Sequence, residues 1–596
     1  MNTRRHAMPF GAEITPEGVR FRLWAPGCRQ ARLCLDDAPA LAMAGLGGGW
    51  FGLTVGQAGP GSRYRFEVDG DRRVPDPASR FNPDDAQGPS EVIDPGAFPW
   101  EDGAWRGRPW TEAVIYELHV GAFSPEGSFE GVRRRLDYLR ELGVTAIELM
   151  PVADFPGARN WGYDGVLPFA PDSRYGRPEA LKALVQAAHA RGLMVFLDVV
   201  YNHFGPEGNV LHGLAPGFWS PDRQTPWGPA IAFDGPERET VRAFFIHNAL
   251  YWLEEYHLDG LRLDAVHAIL DGSARHFLDE LAERVRAGLE PGRQVHLVLE
   301  NDANEARRLG PGRCTAQWDD DLHHALHVLC TSETDGYYRD YADDPAGRLG
   351  RALAEGFAYQ GEPSPYRGGR PRGEPSAHLP APAFVAFLQC HDQVGNRAFG
   401  ERIGQLAPEP ALRAAAALYL LAPSIPMLFM GEEFAAATPF LYFCDFAGEL
   451  GRAVTRGRRG ELAGLGGAVA AGDIPDPNEE RTFLRSRLDW SCLDRPAHAG
   501  WLEYYRRLLD LRRRVIVPRL GAMPGRAGRA ERLGPGALRV TWRLGDGSGL
   551  HLLANLSGAP FTAEPPPGTP VFATSPGSAQ GRLEAWGLAW TLGGEP

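Results

Sequence analysis

The chain has 596 residues, 43% of them hydrophobic, with a formal net charge of −13 and a pI of about 5.8. That length exceeds what one core can organise, and the apolar content excludes a disordered chain. The acidic balance argues against nucleic acid or an anionic membrane as the main partner.

Met1 to Met8 includes Arg4 and Arg5, but no apolar run follows, so a signal peptide is not expected. No stretch is long and apolar enough to predict a membrane span. Cysteines stand at 28, 34, 314, 330, 390, 444 and 492, an odd set without zinc spacing. They read as reduced thiols, and a cytoplasmic location is expected. Lys182 is the only lysine, which reads as a coding bias, and runs such as Arg133-Arg134-Arg135 read as solvated faces.

From about residue 10 to 100, short alternating runs are separated by Gly, Pro and Asp, as in 19–24, 31–35 and 63–68. Period-two patterning with frequent turns predicts a small β-sandwich. A Pro/Asp-rich connector follows, roughly 82–109. From Ala113 the rhythm changes to apolar strands alternating with amphipathic helices. The strand candidates are 113–119, 144–150, 193–199, 260–265, 295–300, 314–318, 384–390 and 425–430. Phe129, Val132, Leu136, Leu139 and Leu142 fall at helical spacing before Gly143, and Leu181, Leu184, Val185 and Ala188 repeat the pattern before Gly192. Eight strands with helical crossovers predict an α/β fold, a (β/α)8 TIM barrel. Inserts at 199–237 and 340–380 are expected to be loops that shape the site, and 462–477 a surface loop. Alternation returns beyond about 525, predicting a closing β domain. The resulting division is 1–105, an N-terminal β-sandwich; 106–520, the barrel; and 521–596, a C-terminal β domain.

Three distant segments place acids just after apolar runs: 260–267 with Asp264, 298–301 with Glu300 and 387–392 with Asp392. A parallel barrel gathers strand-end residues at one mouth, and glycoside chemistry needs carboxyl groups flanking one bond. Arg262 and Asp264 are two apart on a strand and share a face, so the guanidinium would keep Asp264 ionised, as a nucleophile requires. Glu300 would be the general acid, which needs a raised pKa, and Asp392 is suited to grip sugar hydroxyls. A single strand-end Asp more often caps a helix; three together, with Arg262 and His391 alongside, make that reading weak. Asp198 reads as a structural hydrogen-bonding residue. His203 and His391 are suited to donate to sugar hydroxyls, and Tyr163 to stack beneath a sugar ring or to plug the core.

Taken together, 198–203, 260–267, 298–300 and 387–392 resemble the four motifs of the α-amylase superfamily, glycoside hydrolase family 13. The resemblance implies that Asp264 is the nucleophile, Glu300 the acid/base and Asp392 the transition-state stabiliser. It implies too that Arg262, His203, His391 and Tyr163 line the subsite of the attacked glucose, with His267 among the binding residues. Tyr116 to Phe123 resembles the group holding branching and trehalose-releasing enzymes. Segments 318–324, 391–397, 431–434 and 474–477 resemble the trehalose-releasing members, whose implied substrate is maltooligosyltrehalose and related α-glucans. In those members the Asp-Asp-x-His-His and His-Asp-Gln-x-Gly-Asn stretches contact substrate, which implies binding by Asp320, Asp321, His323, His324, Gln393 and Asn396. Asn301 departs from the small or acidic residue expected after Glu300. No cofactor is implied, and no metal is expected, since Asn202 alone does not make a calcium site. A functional partner would be an enzyme that forms maltooligosyltrehalose. The implied mechanism is retaining, with the two carboxyl groups about 5–5.5 Å apart. The rival readings are a glycogen branching enzyme on the same scaffold and a catalytically silent carbohydrate-binding protein.

Overall fold

The computed structural model describes residues 6–594 except 37, 71 and 465–469. Met1 to Arg5 therefore lie outside the described residues, as does the middle of 462–477, of which Ala471–Asp473 forms a 3-10 turn.

Eight parallel strands close a barrel in sequence order. They are β1 (Ile115–Leu118), β2 (Ala146–Leu149), β3 (Met194–Val199), β4 (Gly260–Leu263), β5 (His296–Leu299), β6 (Ala316–Trp318), β7 (Phe384–Phe387) and β8 (Ile425–Phe429). Every residue of all eight is buried, as continuous apolar strands covered on both faces must be. The expected strands are all present, trimmed by up to three residues at their ends.

The periodic run between β1 and β2 forms two helices rather than one, Phe129–Arg133 and Leu136–Leu142. Ser128 caps the first by accepting from the Gly131 N–H, and Gly143 ends the second at φ +106°, a conformation glycine adopts without steric cost. All five apolar positions stay buried across the break. Arg133 and Arg134 are solvated as expected, whereas Arg135 lies over the Trp490 ring at 4.3 Å.

Two antiparallel sheets make the N-terminal sandwich. Gly18–Trp24 pairs with Gly11–Thr15 and Trp50–Val55, and Ala31–Leu35 pairs with Arg63–Val68. Val19, Phe21, Leu23, Leu33, Tyr64, Phe66 and Val68 fill the space between. One residue of that core comes from the barrel: Leu214, in the insert after β3, is fully buried among them. The Gly27 N–H donates to the Leu214 carbonyl at 2.8 Å, and Arg72 donates to the Gly213 carbonyl at 2.9 Å. The sandwich is thereby fastened to a wall of the barrel mouth.

At the other end a five-stranded sheet spans Gly528–Arg532, Ala537–Arg543, Gly549–Asn555, Leu588–Leu592 and Thr569–Ala573. Trp542 and Trp590 stack 5.6 Å apart, and their indole N–H groups donate to the Leu353 carbonyl of the helix Pro345–Glu355 and the Ala417 carbonyl of the helix Glu409–Leu421. The two inserts are not plain loops. Trp219–Thr225 and Gly228–Ile231 form a hairpin in the first; the helix Pro345–Glu355 and a short hairpin, Pro363–Ser364 with Arg370–Pro371, occupy the second. All seven cysteines are free. Among the described residues no helix is long and apolar enough to cross a membrane.

Candidate active site

The register of the barrel strands sets the polar floor of the mouth: Glu117 of β1 lies beside Glu148 of β2, and Asp198 of β3 beside Arg262 of β4. Arg262 is fully buried against the Trp318 ring, 4.2 Å away. Its Nη1 donates to both Asp198 oxygens, at 3.0 and 2.8 Å, and to Asp264 Oδ1 at 2.7 Å. Its Nη2 lies 3.9 Å from Glu300 Oε2. One guanidinium thus serves three carboxyl groups from three strands. Replacing Arg262 by Leu strands buried charge and is expected to cost about 3–5 kcal/mol, read as a lower Tm.

Asp264 and Glu300 sit in opposed environments. Burial pushes Asp264 up, but Arg262, His203 and the Asn202 amide, which donates to Oδ2 at 2.8 Å, outweigh it and hold the carboxyl below its usual range. Burial dominates at Glu300, with Asp264 and Asp392 adding to it against Arg262, and the carboxyl is pushed up to about 8. Ala265 lies between them at φ +40°, a left-handed conformation costly for a residue with a Cβ. That turn aims the Ala265 N–H at Glu300 Oε2, 2.6 Å away.

Asp392 follows β7 in the first turn of His391–Gly395, with its side chain 44% exposed against 15% for Glu300 and 11% for Asp264, so it is the carboxylate most open to a ligand. His391 Nε2 lies 3.5 Å from Asp392 Oδ2 and 2.9 Å from the Tyr163 hydroxyl, which donates to Asp198 at 2.6 Å. Tyr163 stacks on the His391 ring, 5.2 Å between centroids. His203 Nε2 meets the Tyr163 carbonyl at 2.9 Å, and its other nitrogen faces Asn202. Exposed Trp227, at the tip of the first insert's hairpin, stacks on the His203 ring at 5.1 Å. Half-buried Asp320 is raised well above the usual range by burial and by Glu300, Asp302 and Asp392, which places it at the same cluster. His267 is half-buried and accepts from the Asp302 N–H at 3.3 Å.

The other sequence-derived binding residues all make contacts within the protein. Asp321 is fully buried and accepts from Arg372, Tyr341, Asn304 and the Ala358 and Tyr359 N–H groups, which leaves no lone pair for a sugar. Buried His323 meets the Leu388 carbonyl at 2.7 Å and the Tyr338 hydroxyl at 3.2 Å. Both make bracing contacts within the protein. His324 packs among Tyr337, Tyr338 and Tyr341. Gln393 accepts from the Cys390 N–H, and Asn396 donates to Asp392 Oδ1 at 3.3 Å while accepting from Arg458 at 2.9 Å. Sequence reasoning did not single out Glu117, Trp227, Trp318 or Arg458. Among the described residues, only Glu117, Cys390 and His391 bring three ligand atoms within 4.8 Å of one another. Glu117 and His391 already bond each other there and burial pushes the Cys390 thiol well up, so the group fits a hydrogen-bonded pair and not a cation.

Residues 78–215 match the alpha amylase catalytic domain family, 9–95 carbohydrate-binding module 48 (the isoamylase N-terminal domain), and 525–590 a domain of unknown function, DUF3459. Malto-oligosyltrehalose trehalohydrolase from Deinococcus radiodurans is 44% identical over 507 residues, covering 85% of this chain and 82% of that protein. The chain belongs to the malto-oligosyltrehalose trehalohydrolase family. A crystal structure from Salmonella typhimurium, assigned as an alpha amylase, superposes with a TM-score of 0.94 at 46% identity, covering 99% of this chain and all of that one. The GlgB 1,4-alpha-glucan branching enzyme of Frankia casuarinae is 37% identical over 284 residues, only 44% of this chain and 34% of that enzyme, so the trehalohydrolase family accounts for far more of the molecule. As members of the α-amylase superfamily, trehalohydrolases are glycoside hydrolases with an α-glucan substrate.

Proposed function

We propose that the protein hydrolyses the α-1,4 bond next to the terminal trehalose of maltooligosyltrehalose, releasing trehalose and a shortened maltooligosaccharide. The observation that carries the reading is the divergence of two neighbouring carboxyl groups, Asp264 held low and Glu300 pushed up to about 8, around one guanidinium. Such a split assigns acid and base roles. Glu300 protonates the departing glycosidic oxygen while Asp264 attacks the anomeric carbon and forms a covalent glycosyl intermediate. Water, deprotonated by Glu300, then displaces Asp264 with net retention. Asp392 binds the hydroxyls of the same glucosyl ring as it flattens, with Tyr163, His203 and His391 around it. Asp320, His267 and Trp227 face the remaining sugars, whose bent 1,1-linkage must have its hydroxyls satisfied for trehalose to be preferred.

An enzyme that forms maltooligosyltrehalose is the reaction partner this chemistry requires. Seven free thiols support a cytoplasmic location. The sandwich and C-terminal sheet act as braces about the barrel, with divisions near residues 105 and 520.

Incubation with maltooligosyltrehalose and with the maltooligosaccharide of equal length tests the substrate. Free trehalose from the first, with little attack on the second, is the expected result. Equal cleavage of both would overturn the specificity. New α-1,6 linkages from amylose, without a gain in reducing sugar, would replace hydrolysis by branching.

A further inference from the structure

Both oxygens of the buried Glu117 carboxylate are spent on one residue of the site. Oε1 meets His391 Nδ1 at 2.5 Å, and Oε2 accepts from the His391 backbone N–H at 3.1 Å. Proton counting then fixes the state of the ring. The Tyr163 hydroxyl has a single proton, and burial keeps it from ionising. Burial pushes Asp198 up to about 7, and above that pH its carboxylate accepts from Arg262 at both oxygens, so Tyr163 donates to Asp198 and accepts from His391 Nε2. With Nδ1 facing a carboxylate and Nε2 facing a filled acceptor, both ring nitrogens donate, and the ring is an imidazolium.

We propose that Glu117 is a positioning residue, which keeps the His391 ring doubly protonated and fixed so that its Nε2–H holds Tyr163 and Asp392 against the attacked glucosyl ring. The carboxylate also cancels the imidazolium charge on the side away from substrate, so the ring donates without opposing the sugar cation that develops. Burial works against a charged His391, but Asp392 and Glu117 outweigh it and push the ring up to about 9. The groups facing it are Glu117 of β1, Glu148 of β2, His119, Trp161 and Tyr163 from the following loops, Asp198 of β3, Arg262 of β4, Trp318 of β6, and Cys390 and Asp392 beside it.

The inference rests on the proposed roles of Asp264, Glu300 and Asp392; wild-type turnover tests those, while comparison of variants with the wild type tests Glu117. Rates are measured against pH for the wild type, Glu117→Gln, Glu117→Asp, His391→Gln and the Glu117→Gln/His391→Gln pair, on whichever α-glucan the wild type cleaves. Glutamine offers one acceptor where two are needed. Glu117→Gln is expected to lower kcat roughly 10- to 100-fold with little change in KM, since charge-assisted hydrogen bonds are lost. Removing an opposite charge lowers an imidazolium pKa by about one unit, which brings His391 from about 9 down to the range where Glu300 titrates, so the alkaline fall should steepen above pH 8. Glu117→Asp should recover part of the pH profile, and Glu117→Gln should cost nothing further once His391 is Gln. An unchanged pH profile, or the same loss in both backgrounds, overturns the proposal. Should Glu117→Gln fail to fold, nitrogen-15 spectra of histidine-labelled wild type decide it. The ring signals absent from His391→Gln must show both nitrogens protonated at pH 7–8, and a neutral ring there overturns the proposal.

Discussion

Asp264→Asn is expected to lower kcat by roughly 10⁴-fold or more while KM changes little, the pattern for removal of an attacking group that acts only in the chemical step. The amide keeps the size of the side chain but cannot displace the leaving group. The amide keeps one acceptor oxygen, so of the Arg262 and Asn202 contacts at 2.7 and 2.8 Å one is weakened and the other is lost as donor faces donor, and some loss of Tm will accompany the kinetic loss. Circular dichroism on the same preparation separates the two effects. A folded variant turning over within tenfold of the wild type would show that another group attacks.

Glu300→Gln should remove the alkaline fall near pH 8 as well as most of the rate. The raised carboxyl, at about 8, is protonated and able to donate below that pH and loses this capacity above it. Asp264, held below its usual range, is already ionised throughout, so kcat/KM of the wild type should stay level through neutrality and fall above about pH 8. The glutamine variant has no such group: the fall near pH 8 disappears, leaving only the later loss set by His391 at about 9, and turnover of α-glucan drops by about 10²–10⁴-fold. An aryl α-glucoside with an acidic phenol should lose far less, since its leaving group departs without a proton. Persistence of the fall near pH 8 in Glu300→Gln would assign it to a different residue.

The barrel was legible because each strand is a short apolar run ending in turn-forming or polar residues, and all eight such runs form strands. Arg262 and Asp264 were legible as a pair because a spacing of two on a strand puts side chains on one face. The inserts were less so. Trp219–Thr225 is a polar run containing Pro221, and its pairing with Gly228–Ile231 is set by the turn and by burial of Ser220, Ala230 and Ile231. Asp320 and Asp321 show what motif matching leaves out. Adjacent residues in a helix point about 100° apart, so one carboxyl stays at the mouth while its neighbour turns inward onto Arg372. Glu117 and Arg458 were not recognised as site residues because each acts on a catalytic segment from a distant part of the chain. Only the closed barrel brings 117 to 391, and only the helix Gly448–Gly464 brings 458 to 396.

Trapping the covalent intermediate tests the whole account most directly. A 5-fluoro-α-glucosyl fluoride slows both steps and lets the glycosyl enzyme accumulate; peptide mass spectrometry then locates the sugar. We predict one adduct, on the carboxylate of Asp264, enriched further in Glu300→Gln when the reagent carries its own good leaving group. An adduct on any other side chain, or none while the reagent is turned over with inversion, would contradict it.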